Sequence, residues 1–80
     1  MKIQVRLHGA LGRYRPAGAS LSHPFELDVA DGATVESVVA RLGIPKGAAR
    51  GLFVNERPSE PEDALAPGDQ LMLFPLVAGG

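Results

Sequence analysis

Three groups of residues in this chain carry chemistry that could react: its last two glycines, its two histidines and a small set of carboxylates. The glycines are Gly79-Gly80, directly after the apolar run Leu71-Met72-Leu73-Phe74-Pro75-Leu76-Val77-Ala78. A terminal glycine offers a backbone carboxylate with no Cβ beside it. Two in a row make a stalk that takes nearly any backbone conformation and threads a channel that side chains would block. Such an end suits a terminus that enters another protein's active site, although a frayed end looks the same.

The other groups offer less. His8 and His23 fall in different predicted strand regions with no carboxylate at ligand spacing, so no metal site is expected. His8 reads as a surface or interface residue. Ser20, Ser22, Ser37 and Ser59 lie in loops or a helix, with neither a His-Asp arrangement nor a nucleophile elbow around them. Glu60, Glu62 and Asp63 cluster around Pro61 and read as a solvated turn rather than a catalytic pair. Gly9-Ala10-Leu11-Gly12 lacks the Lys-Ser/Thr sequel of a phosphate loop. No catalytic centre and no bound cofactor are expected within the chain; its one reactive feature is its end.

Size and composition set the frame. Eighty residues are expected to form one domain over 1–80, with a flexible tail at 75–80. A chain this short buries only about three-fifths of its unfolded surface. The absence of cysteine excludes disulfides, thiolate metal sites and a thiol nucleophile. Eight basic and nine acidic residues are interspersed for a net charge of −1, which is no electrostatic footprint for nucleic acid. No stretch approaches the ~20 apolar residues of a membrane span, and Met1-Lys2-Ile3-Gln4 does not open a signal peptide. The expected location is cytoplasmic.

The elements that must position the end follow from periodicity. Ile3, Val5 and Leu7 alternate with Lys2, Gln4, Arg6 and His8, a half-buried strand. The glycine-rich segment 9–23 reads as a loop with a helical turn around Leu11. Phe25, Leu27 and Val29 make a second alternating strand. Asp31-Gly32 signals a turn and Thr34 an N-cap, after which Val35, Val38, Val39 and Leu42 form one helical stripe. Glu36 and Arg41 complement the helix dipole, Gly43 suits the left-handed C′ position, and Pro45 prevents continuation. Leu52 and Val54 alternate with Phe53 and Asn55 in a third strand. Asn55-Glu56-Arg57-Pro58 reads as a turn, Glu60 to Leu65 as one helical turn, Pro67-Gly68-Asp69 as a tight turn, and Gln70 to Leu76 as the last strand.

This order predicts an α+β fold of the β-grasp (ubiquitin-like) type. A mixed sheet of about four or five strands is expected, covered on one face by a single main helix, with the first and last strands side by side at the centre. A ferredoxin-like plan would need a second full helix in 56–69, a stretch with Pro58, Pro61 and Pro67 and no helical stripe. The predicted core is Ile3, Val5, Leu7, Phe25, Leu27, Val29, Leu52, Val54, Leu71 and Leu73 under Val35, Val38, Val39 and Leu42. Alternation then places Met72 and Phe74 on the opposite face, beside Gln4, Arg6 and His8 of the first strand, with Phe53 further along. Apolar side chains rimmed by Arg and His predict a protein-binding patch.

The segment Pro67-Gly68-Asp69 through Phe74-Pro75-Leu76-Val77-Ala78-Gly79-Gly80 resembles the closing strand and tail of the MoaD/ThiS sulfur-carrier family. Asp31-Gly32-Ala33-Thr34-Val35 is similar to the family's approach to its helix, and Leu52-Phe53-Val54-Asn55 to its valine-asparagine strand end. The likeness spans nearly the whole chain. Three positions depart from it: Leu76 replaces a second proline, Glu56 a glycine, and His8 an aromatic residue that meets partners in molybdopterin-type members.

The resemblance implies a co-substrate rather than an enzyme, or the small subunit of molybdopterin synthase. A ubiquitin-activating-like adenylating enzyme would use ATP and magnesium, held by that partner, to convert the Gly80 carboxylate to an acyl-adenylate. A sulfur donor would then displace AMP and leave a thiocarboxylate on Gly80. Gly79, Ala78 and Val77 would form the threading tail, and Phe74, Met72, His8 and Arg6 the partner interface. Extended, residues 75–80 span roughly 20 Å, enough to reach a neighbour's pocket. The tail looks closest to the molybdopterin branch, whose acceptor is the synthase large subunit. Carriers for thiamine thiazole, tRNA thiolation or cysteine synthesis share the design. A ubiquitin-like conjugation modifier and a plain β-grasp interaction module are the alternatives of other classes.

Overall fold

A computed structural model describes residues 1–19 and 24–75. His23, Ser20 and Ser22, and the tail Leu76, Val77, Ala78, Gly79 and Gly80, lie outside the described residues. Five strands form one sheet: β1 (Lys2–Leu7), β2 (Phe25–Asp28), β3 (Ala49–Val54), β4 (Arg57–Pro58) and β5 (Gln70–Pro75), in spatial order β2-β1-β5-β3-β4. β1 and β5 run parallel at the centre, with Val5 opposite Leu71 and Leu7 opposite Leu73. The other neighbours pair antiparallel. With helix α1 (Val35–Arg41) between β2 and β3, this is the expected ubiquitin-like β-grasp.

The core is centred on the two middle strands. Ile3, Val5, Leu71 and Leu73 are fully buried under Val35 and Val38 of α1. Val29 is buried as expected, whereas Leu7, Phe25, Leu27, Val39, Leu42, Leu52 and Val54 only pack half-buried around this centre. Three buried residues were not foreseen. Leu11 sits in a 3₁₀ helix over Gly9–Tyr14, Ile44 lies between Gly43 and Pro45, and Leu65 ends the turns after β4.

Helix α1 is only seven residues long and is stabilised mainly at its ends. Thr34 and Ser37 form a reciprocal capping box: the Ser37 N–H donates to Thr34 Oγ1 (3.2 Å) and the Thr34 N–H to Ser37 Oγ (2.9 Å). The next two N–H groups are met from outside the helix, Val35 donating to the Asp63 carbonyl (3.0 Å) and Glu36 to that of Pro61 (2.9 Å). All four orphan donors of the helix start are thus satisfied. Gly43, at φ +81°, closes the other end in the left-handed conformation.

The segment Glu60 to Leu65, read from sequence as a helical turn, is corrected to one tight turn over 60–63, followed by an isolated bridge from Ala64 to Thr34. Asp63 is the cause: its carboxylate accepts from the Glu60 N–H (2.9 Å) and the Ser59 hydroxyl (2.8 Å), drawing the backbone into a turn that Pro61 helps to keep from winding on. Those two bonds, the backbone one first, hold the Asp63 carboxyl below its ordinary value. The acidic cluster is therefore a structural turn whose carbonyls receive α1.

The segment 55–58 is also resolved differently from its reading as one turn. Asn55 and Glu56 alone make the turn, both at positive φ (+53° and +68°), and Arg57–Pro58 return as the short strand β4. That is the conformation of a two-residue hairpin turn. Asn55 also ties this hairpin to β5, its Nδ2 donating to Asp69 Oδ1 (2.9 Å) and its Oδ1 accepting from the Gln70 N–H (2.9 Å).

Two outcomes follow from this turn. Asn55→Ala is expected to destabilise the fold by about 2 kcal/mol, since alanine pays the left-handed penalty and loses both exposed hydrogen bonds. Asn55→Gly should lose less, and urea unfolding of the two variants checks the order. Glu56→Gly is expected to raise stability by about 0.5–1 kcal/mol, because relief of the left-handed strain exceeds the added chain entropy of glycine. Thermal unfolding reads it; a lower Tm would contradict it.

Candidate partner-docking face and tail root

Among the described residues nothing covers the face of the sheet opposite α1, and strand pairing decides what it carries. Positions 4 and 6 of β1, 70, 72 and 74 of β5 and 53 of β3 point to it. Arg6 stands beside Met72, and Met72 opposite Phe53, so these form one row across three strands. The next row runs from His8 through Phe74 to Gly51. At the β2 side the face is ionic, with Lys2 Nζ 3.4 Å from Glu26 and 3.9 Å from Asp28. Arg6 is exposed and makes no ion pair among the described residues.

All four residues expected at the interface are brought together here. Met72 and Phe74 are half-buried, so each keeps part of its apolar surface in water. His8 is not a loose surface residue. Its backbone N–H continues the ladder to the Leu73 carbonyl (3.0 Å), and its ring stacks on Phe74 at 4.1 Å and 10°. Phe53 meets the same Phe74 ring edge-on, at 5.5 Å and 83°. Such geometry is the favoured one for aromatic pairs.

Two glycines, Gly51 and Gly9, to which sequence reading gave no part in this face, shape the site. β3 and β5 slip register at Arg50, so that Ala49 faces Pro75 and Gly51 faces Phe74. The extra residue is a β-bulge, a device that re-aims side chains. A Cβ on Gly51 would stand 3.0 Å from Phe74 Cβ, so any larger residue there would have to push Phe74 aside by a few tenths of an ångström. Gly9, at φ +57°, similarly leaves room for the Pro75 ring. The only sequence signal of either was a glycine at a strand's end or interior.

The candidates for other chemistry fall away from this face or outside the description. Gly9-Ala10-Leu11-Gly12 forms the start of the 3₁₀ helix, with Leu11 turned into the core. Among the described residues, no three His, Cys, Asp or Glu side chains converge as metal ligands would. No helix among them is long and apolar enough to cross a membrane.

Comparison with known proteins extends these observations. The ThiS family model matches residues 14–80. No curated protein matches the chain. Among solved structures, SAMP1 from Haloferax volcanii superposes with a TM-score of 0.71 at 24% identity, with 100% of both chains covered. A provisionally assigned molybdopterin converting factor, subunit 1, from Pyrococcus furiosus gives 0.67 at 20% identity, covering 95% of this chain and 98% of that one. A Caldiarchaeum subterraneum ubiquitin gives 0.59 at 27% identity, covering 100% of this chain and 98% of its own.

Proposed function

The chain belongs to the ThiS family, and from that premise we propose that it is a sulfur carrier whose Gly80 carboxylate is the group that other enzymes modify. The observation that carries the proposal is the placement of β5. This strand is paired on both sides at the centre of the sheet, and it carries the half-exposed Met72 and Phe74, with Phe53 beside them, up to Pro75, five residues before Gly80 in the sequence. A partner that grips this face would have the tail within reach of its active site.

The chemistry needs nothing further from this chain. A carboxylate is a poor electrophile. In an adenylating partner that holds ATP and magnesium, a Gly80 oxygen attacks the α-phosphorus and expels pyrophosphate. The resulting acyl-adenylate carries AMP as a good leaving group. A sulfide-level donor then adds to the carbonyl carbon, AMP departs, and a thiocarboxylate remains. The chain's own part is to dock through Arg6, Met72, Phe74 and His8 and to supply an unbranched terminus through Val77, Ala78 and Gly79.

We assign the acceptor to molybdopterin synthesis, with the synthase large subunit as the receiving partner. The Phe74-Pro75 pair and the Val77-Ala78-Gly79-Gly80 segment support that branch over thiazole, tRNA or cysteine carriers. Intact mass tests the carrier role. Incubated with its adenylating enzyme, ATP and a sulfur donor, the protein should gain about 16 Da, sulfur for oxygen. An unchanged mass while the partner turns over ATP would overturn it.

The likeness to an archaeal ubiquitin at 27% identity favours one second reading, a ubiquitin-like modifier that spends the same activated glycine on a lysine. Cell extract with ATP and no sulfur source separates the two. Conjugates heavier than the free chain, linked through Gly80, support the modifier; a free chain only supports the carrier.

A further inference from the structure

Phe74 and Pro75, the last described residues before the tail, are held from four directions. His8 stacks flat on the Phe74 ring and Phe53 meets it edge-on. A methyl added at Gly51 would meet Phe74 Cβ at 3.0 Å, tighter than ordinary contact, and its Cδ2 at 3.4 Å. On the other side of the chain, a Cβ at Gly9 would lie 3.0 Å from Pro75 Cγ. His8 Nε2 is buried with no hydrogen-bond partner among the described residues. A buried polar atom left unpaired is a cost, so at this position the imidazole works as a flat ring and not as a hydrogen-bonding group.

The geometry points to a positioning clamp: His8, Phe53, Gly51 and Gly9 fix Phe74 and Pro75, and so set the direction in which the chain leaves β5 for Gly80. The inference rests on Gly80 being the activated residue. Its physical reason is leverage. Residues 75–80, drawn out in a partner's channel, span roughly 20 Å, so a turn of about 10° at the root moves the end by roughly 3–4 Å. A reacting carboxylate tolerates far less, a misplacement of about 1 Å costing on the order of 100-fold. These four are positioning residues, acting through Phe74 and Pro75; none has to touch the reacting atoms.

Three variants test the clamp: Gly51→Ala, which pushes on Phe74 without a backbone penalty, His8→Ala, which removes the stack, and His8→Phe, which keeps a flat ring without the unpaired nitrogen. With the adenylating enzyme, ATP–pyrophosphate exchange should lose about five- to fifty-fold in kcat for Gly51→Ala and His8→Ala. KM should change much less, and His8→Phe should restore wild-type kcat. A rise in KM alone, or no rescue by phenylalanine, would overturn the clamp and leave His8 a plain contact residue. A second readout does not depend on activation. Cα–Hα residual dipolar couplings of Phe74 and Pro75 should move in Gly51→Ala and His8→Ala but not in His8→Phe. Unmoved couplings overturn the clamp whatever the activity. A wild-type chain that supports no exchange, with couplings that do move, instead removes the carrier reading and leaves the clamp as a feature of the fold.

Discussion

Deletion of Gly80 is expected to abolish ATP-dependent activation while leaving the thermal midpoint of the domain where it was. The reasoning separates cleanly into two halves. Every core-cluster residue among the described ones lies between Met1 and Leu73, and Gly80 has no side chain to remove. For the chemistry, losing one residue withdraws the terminal carboxylate by about 3.5 Å along an extended chain. Since a misplacement of even about 1 Å can cost on the order of 100-fold, a carboxylate drawn back this far should leave no measurable activation. Appending one alanine after Gly80 should do as much harm, since it replaces an unbranched terminal carboxylate by one beside a Cβ and overshoots the site. Pyrophosphate exchange and intact mass read both variants. A mass gain in the Gly80 deletion would show that some other carboxyl is modified, and the carrier proposal would fall.

How far these features could be read from sequence depends on whether their cause is local. Helix α1 was legible because Thr34, the Val35-Val38-Val39-Leu42 stripe and Gly43 each act within one or two turns. The central pairing of β1 with β5 followed from two alternating strands at opposite ends of a β-grasp order. Leu11, Ile44 and Leu65 gave no such signal. Leu11 and Leu65 stand beside alanines and Ile44 between Gly43 and Pro45, and none belongs to an alternating or helical stripe that periodicity can read. The turn at 60–63 was misread as a helical one because the side-chain bonds of Asp63, which favour a tight turn at that spot, do not show in periodicity.

The site divides in the same way. Alternation along β5 put Met72 and Phe74 on the open face, and pairing with β1 brought Arg6 and His8 beside them. The stack of His8 on Phe74 and the seat at Gly51 were out of reach. They depend on which residue of β3 lies opposite Phe74, and the bulge at Arg50 sets that by one residue. A one-residue slip would have placed a side chain where the aromatic ring now sits.

Placing a charge at the centre of the open face should sever docking while sparing the fold. Met72 lies between Arg6 and Phe53 in the middle row and is half-buried, so Met72→Asp costs the free protein about 1 kcal/mol through strand propensity and lost contact. Under a docked partner the same carboxylate would be stripped of water, a far larger penalty. A loss of about 3 kcal/mol in binding corresponds to a KM for activation more than 100-fold higher. Arg6→Glu, at the exposed edge of the row, should raise KM about tenfold, and by less as salt increases, because a rim charge acts through a screened field. Glu36→Lys, exposed on α1 at the opposite face, is the control and should leave KM unchanged. The pattern across the three decides which surface the activating enzyme grips. If Glu36→Lys raises KM and Met72→Asp does not, the partner approaches over the helix, and the aromatic cluster at the tail root serves the fold alone.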